Sequence, residues 1–292
     1  MLPSVGSLKA LRIAKASSAA APFVGFGNPL LTGRNGDDRT AWVKQDCGKS
    51  AAPTHTRIAS LFGGIASLFR AGVVDVEELR REPPLPETAD ELCTVASALG
   101  VTASELNKAV HLGERATVSE VKALSQSGEL ARARVVHFAT HGLIAGQTAM
   151  FAKTRAEPAL LLTPPASDKA SEEDNGLLTA SEVAQLNLNA DWVVISACNT
   201  AAGSSDGAEA LSGLARAFFY AGARSLLVSH WEVNSDAAVA ITTGAVNAMK
   251  AAPKIGRAEA LHRSIGALIA KGGIYAHPSV WAPFVLVGNG EQ

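Results

Sequence analysis

The chain has 292 residues, 47% hydrophobic and 18% charged, with a formal net charge of -1. That length can bury a sizeable core in one large domain or two small ones, and the near-neutral balance excludes an electrostatic case for nucleic acid or an anionic membrane surface. No apolar run nears the roughly 20 residues that span a bilayer, no compact signal segment follows Met1, and three cysteines without paired spacing fit a reducing, cytoplasmic compartment.

The first segment, "LPSVGSLKALR", opens abruptly, as a piece of a longer protein would. "APFVGFGNP" predicts a strand that ends at the turn signal Gly27-Asn28-Pro29. Residues 34–86 lose periodicity and read as a mobile insertion, with short helices around Ile58–Phe69 and Val76–Arg81. Cys47 falls there as an exposed bystander. "LPETADELCTVASALG" predicts a helix capped by Thr88, with Glu91 three residues on and the apolar stripe Leu92, Val95, Ala96, Leu99. Cys93 lies on that stripe and reads as core.

"KAVHLG" predicts a short strand, and a helix starts at Thr117. "ARVVHFATHG" predicts a buried strand ending at His141-Gly142. Residues 163–175 are polar and Pro-rich, a variable surface loop. "LLTASEVAQL" carries a Thr-x-x-Glu capping box, Thr179 and Glu182, on a short helix. "DWVVISAC" predicts a strand running out at Cys198, followed by a helix through "GAEALSGLARAFFYAG". The strand "RSLLVSHW", helices near Ser235–Ala251 and Gly256–Lys271, and a last strand "PFVLVG" complete the chain. Strands alternating with helices predict a mainly parallel six-stranded sheet covered on both faces.

Three of these strands end in groups capable of chemistry: His141, Cys198, and His230-Trp231. Catalytic groups of open α/β sheets gather outside the carboxyl ends of the strands. A thiol with a pKa near about 8.5 is only slightly ionised at neutral pH, so a nucleophilic cysteine needs a base. His141 suits that role if its strand lies beside the cysteine's. Gly142 lets backbone approach a substrate, and its N–H with that of Cys198 forms a candidate oxyanion hole.

Inert packing is the competing reading for a strand-end cysteine. "GSSDG" also matches a serine nucleophile elbow at Ser205, with Asp236, His262 and His277 downstream, although the apolar run stops well before it. His137 and His141 share a strand face but stand ~13 Å apart, too far for one metal, so His137 reads as a core histidine.

"ARVVHFATHG", "NGLLTASEVAQLNLNADWVVISACNTAAG", "GLARAFFYAGARSLLVSHWEVNSDAA" and "HPSVWAPFVLVG" together resemble the CHAT domain, a family similar to caspases and separase and often joined to tetratricopeptide repeats. Weaker echoes reach upstream to "LPSVGSLKALR". The resemblance implies one caspase-like domain over residues 1–292, three-layered α/β/α, with insertions near 34–86 and 163–175. It also implies a cysteine endopeptidase with His141 and Cys198 as its dyad, gated by a regulatory protein or a fused repeat domain, and a setting in bacterial defence or cell death. No cofactor or metal is implied. His230 and Glu232 stand where the family usually has Leu and Pro, which bears on substrate preference. Asp206, in the loop after the nucleophile, and Glu209 would draw Arg or Lys before the scissile bond, with His230 and Trp231 beside them. The alternatives are a catalytically silent assembly module and the Ser205 hydrolase.

Overall fold

A computed structural model describes residues 17–48, 74–143, 148, 157–196, 206–229 and 235–290. The helices the sequence suggested around Ile58–Phe69 lie outside the described residues. Six strands form the main sheet: β1 (Ala21–Gly27), β2 (Val110–Leu112), β3 (Ala133–Ala139), β7 (Trp192–Ile195), β8 (Ser225–Ser229) and β9 (Phe284–Gly288). Their order is β2-β1-β3-β7-β8-β9, parallel except for β9. This is the mixed α/β, mostly parallel sheet that a caspase-like fold requires.

Nine α-helices are described: α1 (Val76–Arg80), α2 (Glu87–Leu99), α3 (Leu106–Ala109), α4 (Val118–Gln126), α5 (Ala180–Val183), α6 (Asp206–Ala221), α7 (Ser235–Ala251), α8 (Arg257–Ala270) and α9 (Pro278–Trp281). Because strand side chains alternate between faces, the sheet builds two cores. Val136, Phe138, Val193, Ile195, Leu226 and Val228 pack with side chains of α4, α5 and α6. Val135, Ala139, Trp192, Val194 and Leu227 pack with those of α2, α7, α8 and α9. Each fully buried Val, Leu, Ile or Phe among them contributes roughly 1.5–3 kcal/mol.

The sequence missed a second sheet. β4 (His141–Leu143), β5 (Ala159–Leu161) and β6 (Leu177–Thr179) form a small antiparallel sheet in the order β4-β5-β6. The predicted strand through His141 is therefore two strands broken at Thr140. The Thr140 hydroxyl donates to the Leu161 carbonyl and fastens the break. Where the sequence suggested an irregular 163–175 loop, its first residue is a buried anchor. Thr163 Oγ1 donates to Gly113 O at 2.6 Å and accepts from Leu30 N at 3.0 Å. Arg80 Nη2 donates to the carbonyls of Pro164 and Pro165 at 2.9 and 2.7 Å.

Two further expectations need correction. Cys47 and Cys93 are joined in a disulfide, with Cα atoms 5.6 Å apart. Cys47 is not a bystander, Cys93 packs against the core as expected, and the unpaired-cysteine argument for a reducing compartment does not stand. Thr88 is not a helix cap, because α2 begins at Glu87 with Pro86 as its N-cap. The Thr88 hydroxyl instead donates to Leu85 O at 2.7 Å and accepts from Asn28 N at 2.8 Å. Asn28 takes φ 47 at the turn after β1, and its side-chain amide donates to Ala41 O and Lys44 O, each at 2.8 Å. Among the described residues, no helix is long and apolar enough to cross a membrane.

Candidate active site

The main sheet brings β3, β7 and β8 side by side and parallel, so their carboxyl ends share one edge. The last register pair between β3 and β7 is Phe138 with Ile195. The Ser196 N–H extends the ladder by donating to Phe138 O at 3.1 Å. His141 and Cys198 each follow that last pair by three residues in the chain.

His141 opens β4 with 8% of its surface exposed. Its Nε2 lies 2.7 Å from the carbonyl oxygen of Pro83, in the loop between α1 and α2. A carbonyl only accepts, so Nε2 carries the proton, and in the neutral ring the lone pair sits on Nδ1. The segment read as a mobile insertion, whose expected helix near Val76–Arg81 is present as α1, thus supplies the atom that fixes this tautomer. Nothing in its sequence shows this, because a backbone carbonyl has no residue signature. Beside it, burial raises the pKa of Glu82, with Glu78 adding to the rise and Arg34 opposing it.

Gly142 pairs with Leu160 across the β4–β5 ladder. Cys198, Ser205, His230 and Trp231 lie outside the described residues; β7 ends two residues before Ala197, and β8 ends immediately before His230. Asp206 is the first residue of α6, and Glu209 follows in the same first turn. Asp206 therefore belongs to the helix start and not to the loop. Of the elbow's suggested partners, His277 caps α9, its Nδ1 accepting from Ser279 N at 3.2 Å.

Beneath this edge, on the α2 face, lies a cluster only partly legible from the sequence. His137 is fully buried, as expected of a core histidine, and its Nε2 is 2.9 Å from both Ser196 Oγ and Glu91 Oε1. Ser196 Oγ donates to Glu91 Oε1 at 2.6 Å. Glu91 is thus a buried acceptor facing two strands, not the acid of a capping box. Alternation along β3 and β7 puts His137 and Ser196 on one face, a signal available in the sequence. Pairing them with Glu91 needed the packing of α2. No group of His, Cys, Asp and Glu suited to a metal occurs among the described residues.

Residues 1–289 match the family model described as "CHAT domain". The chain belongs to the CHAT domain family. It is 30% identical over 231 residues, 70% of its length, to Tetratricopeptide repeat protein 28 of Mus musculus. It is 29% identical over the same length to the Homo sapiens protein of that name. The match covers 9% and 8% of those two relatives, so this chain resembles one small part of each.

Proposed function

We propose that this CHAT domain is a cysteine endopeptidase in which His141 and Cys198 act as a dyad. The observation that carries the reading is the Nε2–H···O hydrogen bond from His141 to Pro83. It leaves Nδ1 as the basic nitrogen, on a residue placed at the carboxyl edge of the strand beside β7. Nδ1 takes the thiol proton, and the thiolate attacks the peptide carbonyl carbon. The backbone N–H groups of Gly142 and Cys198 hold the resulting oxyanion. The imidazolium then protonates the leaving amine as the C–N bond breaks, giving a thioester. Water, giving its proton to Nδ1, hydrolyses the thioester and restores the thiol.

Asp206 and Glu209, at the start of the helix that follows the nucleophile, favour Arg or Lys before the scissile bond, with His230 and Trp231 as neighbours. Relatives named for tetratricopeptide repeats support a fused repeat module, which would be the gating partner. A second reading, a domain that assembles without cleaving, draws on the same repeat-protein names. Labelling separates these readings. Peptidyl acyloxymethyl ketones ending in Arg, Asp or Leu, and a serine-directed phosphonate, are applied with mass-spectrometric site mapping. The dyad predicts adducts on Cys198, fastest with the Arg reagent. A phosphonate adduct on Ser205 instead would establish the serine hydrolase, and no adduct on either would favour the silent module.

A further inference from the structure

We propose that Glu91, His137 and Ser196 form a positioning network that sets the reactivity of Cys198, an inference that rests on the dyad reading above. Each of the three comes from a different element: α2, β3, and the residue after β7. All are buried, with 1%, 0% and 4% of their surfaces exposed. A carboxylate only accepts, so the Ser196 hydroxyl proton is committed to Glu91 at 2.6 Å. His137 Nε2, 2.9 Å from both oxygens, must then be the protonated ring nitrogen. Edge-on contact with Phe23, ring centroids 6.1 Å apart, holds the imidazole plane.

The network fixes β3 against β7 in rotation as well as in register. The ladder alone does the second, through Ser196 N–H to Phe138 O. The Ser196 side chain adds a tether from the strand end to α2, two residues before Cys198. Four residues after His137 comes His141. One carboxylate therefore anchors the segments leading to both members of the dyad. A core that needed only to be filled would use apolar residues here, since burying a carboxyl, an imidazole and a hydroxyl this deeply costs desolvation that their mutual hydrogen bonds must offset. Small misplacements of reacting groups lower rates by as much as about 10²-fold, so rigid anchoring upstream has a kinetic consequence.

The test is the rate of Cys198 alkylation by iodoacetamide from pH 5 to 9, mapped by mass spectrometry. Wild type, His141→Ala, Ser196→Ala, Ser196→Thr and Glu91→Gln are compared, with urea denaturation run in parallel. Ser196→Ala leaves the Glu91–His137 contact in place and retains the fold. Its alkylation at neutral pH should fall by about 10-fold, with Ser196→Thr restoring the rate and Glu91→Gln reproducing the loss. Unchanged alkylation in Ser196→Ala and Glu91→Gln, with only the urea midpoint lowered, would reduce the network to a structural role. So would a loss that the Thr hydroxyl fails to restore. The two levels separate on His141→Ala. A rate equal to wild type there overturns the dyad itself. A slow His141→Ala beside a normal Ser196→Ala removes only the network's part.

Discussion

His111 on β2 shows how strongly surroundings decide what an imidazole does. Its ring stacks on Phe26 at 4.9 Å between centroids, and Glu120 Oε1 lies 3.2 Å from Nδ1, though out of line for a hydrogen bond. Burial, helped by the Arg115 guanidinium, lowers its pKa from 6.5 to about 4, and the Lys108 backbone contact opposes the fall only in part. The folded state therefore prefers the neutral ring. Its contribution to stability is complete above pH 6.5 and is lost as pH falls toward 4, by roughly 3 kcal/mol. His111→Phe keeps the stack and should abolish that share of acid sensitivity, read as urea midpoints at pH 7 and pH 4.5. Equal acid losses in both proteins would show that other groups drive it. At this scale the sequence was informative about His137, which is buried as the core histidine it read as, and about His141, which stands just beyond the end of β3; Cys198 lies outside the described residues. It was misleading for Glu91, because Thr88-x-x-Glu91 imitates a capping box while the true partners, His137 and Ser196, are distant in the chain.

Among the elements, α2 has the most varied duties. It buries Leu92, Val95 and Ala96 against the sheet, as its stripe predicted. It also carries Glu91 to the network and Cys93 to the disulfide with Cys47. The bond joins residues 46 apart in the chain, and the loop it closes contains Pro83, the partner of His141. Restricting a loop of that length in the unfolded chain stabilises the protein by about 4 kcal/mol in a chain-entropy model. Reduction with a phosphine, or Cys47→Ser, should lower unfolding stability toward that extent, and each should make the other silent. Stability indifferent to both would mean that the bond does not form in solution. The longer elements were legible because each shows two or more periods of its pattern, and the Thr179–Glu182 capping box forms in both directions. Strands β4, β5 and β6 were not. Three residues each is too short for alternation to declare itself, and their pairing depends on the break at Thr140.

The whole molecule has a polarity. At the amino edge of the sheet, Asp191 ties Arg134 on β3 and Arg257 on α8, at 3.1 and 3.4 Å. Burial lowers the pKa of Arg257 while Asp191 opposes that shift, so removing the carboxylate would weaken the charge compensation of a buried cation. This edge serves cohesion. The carboxyl edge holds His141 on a separate small sheet, just beyond the end of β3. Both the layering and that edge follow from alternation and strand order, which is why the six-stranded sheet was predictable while the Pro83 contact was not. In the proposed mechanism this edge cleaves peptide bonds through Cys198. The most direct measurement is hydrolysis of an unbiased peptide library by wild type and Cys198→Ala, analysed by mass spectrometry after both proteins are shown to unfold with similar stability. The account predicts defined cleavage by the wild type and none by Cys198→Ala. Equal cleavage by the two proteins would contradict it.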